Sequence, residues 1–284
     1  MNHQDLERPN AGRFPARRPR LAGPATHRAL AAVLVTFVLT GQVAGQDADA
    51  KGAERQGGQA FFDDFDELDP GRWFVSDGWA NGPHQSCLWH RDRVSLEEGV
   101  LRLSLTTDAQ GDRALSCAEI QSNEAFGHGT FEALVRMPFA SGLNANFFTH
   151  IGAPQERPHN EIDFEFIAPH GPQLQTNFFV DDKGGHEELL DVVDDSSFRH
   201  LAVTWEPGAL RWYIDGELIR EESGEPMPSE AQKIYLSLWT TDTLTEWLGA
   251  FDPSTAPLVM DVDWVAFTPL GADCQFDASI LCSQ

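Results

Sequence analysis

The sequence predicts an all-β fold, built as a two-sheet sandwich. Three observations lead there. From Phe61 onward, short segments of alternating apolar and polar residues follow one another, separated by turn residues. No long stretch carries the 3.6-residue period of an amphipathic helix. The chain also holds 8 Trp and 19 Phe in 284 residues, enough to fill one large core between two sheets. Roughly a dozen strands are expected on that pattern.

The elements follow in order. Residues 1–45 read as a targeting segment. Arg8, Arg13, Arg17, Arg18, Arg20 and Arg28 precede or border an apolar run from Leu30 to Leu39, and Ala44-Gly45 offers small residues for cleavage. That order reads as a secretory signal peptide, with an uncleaved anchor as the alternative. The run is too short to span a bilayer comfortably. A secreted or periplasmic protein is expected, with no membrane attachment after cleavage. Residues 46–59 (QDADAKGAERQGGQ) are polar and Gly-rich and read as a disordered leader. One domain is expected over residues 60–270, with a short tail over 271–284.

Within that domain, Val100 to Thr106 alternates as a half-buried strand does. Phe131, Ala133, Val135 and Met137 form one face of the next clear strand, with Glu132 and Arg136 on the other. Leu210 to Arg220 holds Asp215-Gly216 between two alternating runs, a strong two-residue hairpin signal. Leu258, Met260, Val262, Trp264 and Ala266 form one face of a late strand. No internal repeat is visible, and a monomer is expected.

Charge excludes one class of partner. Beyond residue 45 the chain carries 14 basic and 42 acidic residues, a net charge of −28. Nucleic acid binding needs a basic surface, so it is not expected. The 4 Cys and 10 His show no zinc-ligand spacing.

The most informative strand is Asn160 to Ile167, N-E-I-D-F-E-F-I. Period-2 geometry puts Glu161, Asp163 and Glu165 on one face and Ile162, Phe164 and Phe166 on the other. Crowded like charges raise one another's pKa and disfavour ionisation. A solvated strand face or a calcium site would carry the same alternation. Paired carboxyls also suit glycosidic bond cleavage: about 5–5.5 Å apart for retention, about 6.5–9.5 Å for inversion. The Cα atoms of Glu161 and Glu165 stand roughly 13 Å apart at about 3.3 Å per residue, so retention requires both side chains to lean inward.

At this point the chain resembles glycoside hydrolase family 16, in its lichenase-like and succinoglycan-trimming branches. Glu161-Ile162-Asp163-Phe164-Glu165 looks like the family signature. Further blocks follow in family order: Ser76 to Gly82, Cys117 to Ser122, Phe147 to Thr149, Gly184 to Glu187, Leu236 to Thr245, Trp247 to Gly249 and Cys274 to Phe276. The resemblance implies a jelly-roll sandwich with a concave cleft for a polysaccharide and no catalytic cofactor. It implies Glu161 as nucleophile, Glu165 as general acid/base and Asp163 as the assisting carboxylate. It implies substrate contacts from Trp79, Asn81, Glu119, Gln121, His159, Asn177, Phe179, Ser237, Trp239 and Trp247. It also implies a disulfide between Cys87 and Cys117 and a structural calcium near Asp64, Gly99 and Asp263; Cys274 and Cys282 are expected to close a second disulfide in the tail. His159, Asn160, Gln121 and Ser237 depart from the lichenase pattern, which has Trp, Asp, Arg and Asn there.

The leading expectation is a retaining endo-β-glycanase acting on β-1,3-1,4-linked glucan or a succinoglycan-like exopolysaccharide. A xyloglucan-type endotransglycosylase is the second reading, and a non-catalytic carbohydrate-binding sandwich the third.

Overall fold

The computed structural model describes residues 58–282. The expected signal segment and residues 46–57 of the leader lie outside the described residues. At the start of the described chain, Gly58 sits so close to the Phe126 ring that a β-carbon would collide with it.

Sixteen strands form two eight-stranded sheets. The first, here the outer sheet, contains β1 (Phe61–Asp63), β4 (Val94–Glu97), β5 (Val100–Leu105), β7 (Gly129–Arg136), β12 (Arg199–Glu206), β13 (Ala209–Ile214), β14 (Glu217–Ser223) and β16 (Leu258–Pro269). The second, the cleft sheet, contains β2 (Trp73–Val75), β3 (Cys87–Trp89), β6 (Leu115–Ser122), β8 (Leu143–Ile151), β9 (Asn160–Ile167), β10 (Gln173–Val180), β11 (Glu188–Asp191) and β15 (Lys233–Thr240). The outer sheet runs β14-β13-β12-β7-β16-β5-β4 and the cleft sheet β11-β10-β9-β8-β15-β6-β2. All pairs are antiparallel except β3 with β6. This is the predicted sandwich, in a jelly-roll arrangement. Helix is limited to Thr245–Leu248 and four short 3-10 turns among the described residues.

The core lies between the sheets. Phe131, Val135, Leu201, Val203 and Trp205 enter from the outer sheet; Phe147, Ile162, Phe164, Leu236 and Leu238 enter from the cleft sheet. Each such burial contributes about 1.5–3 kcal/mol. On β9 this packing also sets function. Ile162 and Phe164 are buried, and Phe164 stacks on Phe147 with centroids 6.0 Å apart. A one-residue slip would turn the three carboxylates into the core. The apolar residues of β9 therefore fix which face its acids occupy.

The Asp215-Gly216 hairpin forms as expected between β13 and β14. Both turn residues have positive φ, 51° and 79°, as the turn that matches strand twist requires. The late strand departs from its expected phase. A bulge in β16 leaves Asp263 without a partner on β7, between Val262 and Trp264. Beyond it the buried parity changes: Val265 and Phe267 join the core. Trp264 turns to the opposite face, against Phe62 and His200. Continuous alternation from Leu258 to Ala266 thus fails at one inserted residue.

Both expected disulfides are present, Cys87–Cys117 and Cys274–Cys282. The second closes the tail, which docks on the outer sheet. There the buried Glu132 carboxylate accepts hydrogen bonds from Ser279 Oγ at 2.6 Å and Ile280 N at 2.9 Å, and pairs with His200 Nε2 at 3.0 Å.

Candidate active site

Cross-strand register assembles the cleft floor. Glu165 on β9 stands between Gln175 on β10 and Asn146 on β8. Asn146 faces Ser237 on β15, and Ser237 faces Glu119 on β6. The next row runs Asn177, Asp163, Phe148, Tyr235 and Gln121. A third places Glu161 between Phe179 and His150. Residues far apart in the chain therefore meet as rungs of one ladder.

A cavity of about 610 Å³ opens over these rows. Glu161, Asp163 and Glu165 line it, with Trp79, Asn81, Glu119, Gln121, His159, Ser237 and Trp239 from the expected set. Trp79 is 39% exposed, unusual for a Trp and suited to a sugar face. Three expected contacts flank the cavity without lining it. Asn177 is buried beside Asp163 on the neighbouring strand, its Oδ1 accepting from Phe178 N. Phe179 stacks on His159 with centroids 4.9 Å apart. Trp247 sits 6.3 Å from Trp239, centroid to centroid, and donates its indole N–H to Gln175 Oε1 at 2.9 Å.

Glu165 is held from two sides. Gln175 Nε2 donates to Oε2 at 2.7 Å, and Asn144 Nδ2 donates to Oε1 at 2.9 Å. Each amide is oriented in turn. An indole N–H can only donate, so Trp247 fixes the oxygen end of Gln175 and turns its NH₂ toward Glu165. On the other side Ser237 Oγ donates to Asn146 Oδ1 at 2.7 Å, and Asn146 Nδ2 donates to Asn144 Oδ1 at 2.9 Å. Asn144, Asn146, Gln175 and His150 were not expected from the sequence. The asparagines did leave a signal, since Asn144, Asn146, Phe148 and His150 share one parity of β8. Their partners depend on pairing between distant strands.

Burial sets the electrostatics. Removal from water pushes Glu165 up to about 7, with Glu161 and Glu187 adding repulsion against the two amide donors. Asp163 is raised well above its ordinary range, first by burial and then by Glu161 and Glu165. Protonated Asp163 can donate a hydrogen bond to Glu161. Glu119 is also pushed up to about 7 by burial, against the Ser76 hydroxyl that donates to it at 2.6 Å. His159 contacts Glu161 through Nε2 and is raised by that hydrogen bond.

Of the positions implied for calcium, Asp263 lies at the β16 bulge, away from the cleft. The paired part of β1 ends at Asp63 opposite Val265 and that of β5 at Leu101 opposite Val262, so Asp64 and Gly99 follow or precede strands that flank the Asp263 bulge. The Asp263 carboxylate and backbone carbonyls near Asp64 and Gly99 would be the hard oxygen ligands that calcium takes.

A β-sandwich with three carboxylates on a cleft floor, two of them pushed toward the protonated form by burial, defines a carbohydrate hydrolase of the two-carboxylate type. The family model for "Glycosyl hydrolases family 16" matches residues 81–266. This chain belongs to glycosyl hydrolase family 16 and is a glycosidase. It is 44% identical over 227 residues to the endo-1,3-1,4-beta-glycanase ExoK of Rhizobium meliloti, covering 79% of this chain and 84% of that one. It is 32% identical to a beta-glucanase of Bacillus subtilis, covering 76% of this chain and 89% of that one. A prokaryotic lichenase from a mouse hindgut metagenome superposes with a TM-score of 0.71 at 32% identity, covering 75% of this chain and all of the other. The beta-glucanase of Bacillus licheniformis superposes at 0.70 with 30% identity, covering 74% and 98%.

Proposed function

We propose that this protein is a retaining endo-β-glycanase that hydrolyses β-1,3-1,4-linked glucan or a succinoglycan-like exopolysaccharide. One observation carries the reading: Glu161 and Glu165 share the cleft floor in different environments. Glu165 is half-buried, and its removal from water pushes it up to about 7, so a proton is available near neutral pH. It protonates the leaving glycosidic oxygen and later takes a proton from water. Glu161 attacks the anomeric carbon and forms the glycosyl-enzyme intermediate. Asp163 lies between them, and burial and its two acidic neighbours favour the protonated form, which donates to Glu161.

Trp79 and Trp239 provide apolar faces for sugar rings. Asn81, Glu119, Gln121, His159 and Ser237 bind hydroxyls around them, and Phe179 backs the His159 ring. Trp247 positions Glu165 through Gln175, and Asn177 flanks Asp163 on the neighbouring strand. The relatives' names favour hydrolysis of a mixed-linkage β-glycan over transfer to a sugar acceptor. The basic and apolar order of residues 1–45 supports secretion to the periplasm or beyond, and the chain acts as a monomer. Calcium at Asp64, Gly99 and Asp263 stabilises the fold and takes no part in the chemistry.

Reducing-end release from lichenan, succinoglycan, laminarin and xyloglucan tests the substrate class. Release is expected from lichenan or succinoglycan and to be lost, at least about 10³-fold, in Glu161→Ala with its fold intact. Undiminished release in that variant would remove Glu161 from the mechanism.

A further inference from the structure

The cleft contains a histidine, His150, that hydrolysis leaves unexplained. His150 on β8 stands directly opposite Glu161 on β9. His159 lies two residues before Glu161 and contacts its carboxylate through Nε2. The two imidazole centroids are 5.0 Å apart. One ligand atom from each of His150, His159 and Glu161 lies within 4.8 Å of the other two. All three residues are half-buried, open to the cleft but partly out of bulk water. Among the described residues, no other group of three His, Cys, Asp or Glu gathers so closely.

We propose that His150, His159 and Glu161 form a site for a borderline divalent transition-metal ion such as Zn²⁺, Co²⁺ or Ni²⁺, and that the bound ion blocks hydrolysis by capping Glu161. Two imidazoles and one carboxylate suit such ions, whereas magnesium and calcium prefer all-oxygen sets. Tetrahedral ligands about 2.0–2.1 Å from zinc stand about 3.4 Å from one another. Closing 4.8 Å to that spacing needs side-chain shifts of about 1.4 Å, within reach of small χ rotations. His159 is also supported from behind: its Nδ1 lies 3.6 Å from Asp182 Oδ1. A carboxylate at the outer nitrogen of a ligating histidine orients the ring and raises its basicity. Three protein ligands leave the fourth position open toward the cleft.

A carboxylate bound to the ion cannot attack the anomeric carbon. The blocking step therefore rests on the catalytic reading of Glu161 given above, whereas metal binding does not. The two are tested separately on the full chain, purified without a histidine tag. Visible absorption follows Co²⁺ titration. One ion per chain is expected, with binding weakened at least about tenfold in His150→Gln and in His159→Gln. Circular dichroism checks the fold of each, and His150→Tyr serves where His150→Gln does not fold. Unchanged Co²⁺ binding in the folded variants would overturn the site. In the second arm, Zn²⁺ is expected to inhibit hydrolysis competitively, EDTA to reverse it, and His150→Gln to raise the inhibition constant at least about tenfold. Hydrolysis that Zn²⁺ does not slow, in a chain that binds Co²⁺, would overturn the capping. A metal-free chain that hydrolyses nothing would count against the catalytic reading, while the Co²⁺ arm still decides the site.

Discussion

Glu165 owes its chemistry to what surrounds it. Burial favours its protonated form, and the two amide donors favour its charged form. The acid must be protonated to act, so activity falls as pH rises through about 7. Removing a donor destabilises the carboxylate and raises its pKa. Asn144→Ala or Gln175→Ala should therefore move the alkaline limb of kcat upward by about one pH unit, the equivalent of one charge-assisted hydrogen bond of about 1.5 kcal/mol. A limb that stays in place in both variants would contradict the assignment. Glu119 gives a second prediction, on stability. Its folded pKa, about 7, lies above the ordinary 4.5. The unfolded chain releases this proton first, so the group destabilises the fold increasingly as pH rises from 4.5 to 7 and fully above that. The penalty is at most about 3 kcal/mol. Glu119→Gln keeps an acceptor for Ser76 and removes the charge. Urea midpoints should show the variant more stable than the wild type at pH 8 and similar to it at pH 4. An equal difference at both would refute this.

Single elements explain what could be read in advance. The β9 strand was legible because its period-2 pattern is local and its apolar face is strict. The Asp215-Gly216 hairpin was legible because two adjacent residues specify its turn. β16 was legible only as far as Val262, since a bulge adds one residue without a composition signal and reverses the faces beyond it. Asn144, Gln175 and His150 were illegible for another reason. Each matters through the strand it faces, and strand order is not written in any one segment. The β16 bulge also carries a prediction. If calcium joins Asp64, Gly99 and Asp263, saturating ion at about 100 times Kd contributes about 2.7 kcal/mol. At about 2–4 °C per kcal/mol for a domain of this size, EGTA should lower Tm by roughly 5–10 °C. Asp263→Ala should have the lower Tm already and not respond to EGTA. A wild-type Tm unaffected by EGTA would exclude the ion.

At the scale of the molecule, the sandwich separates stability from chemistry. One face of the cleft sheet joins the outer sheet through Phe, Leu, Ile and Trp side chains. The other carries polar residues in rows, and neighbouring strands supply each row. That arrangement tolerates three crowded carboxylates because the apolar side of the same strand fixes them in place. In the proposed mechanism Glu161 and Glu165 act together by double displacement. The most direct test is the anomeric configuration of the first product. Proton NMR of lichenan digestion, or of succinoglycan if that is the substrate cleaved, would follow the new reducing end before mutarotation. The β anomer should appear first and the α anomer only later. An α anomer formed first would mean inversion, and the double-displacement mechanism would be wrong.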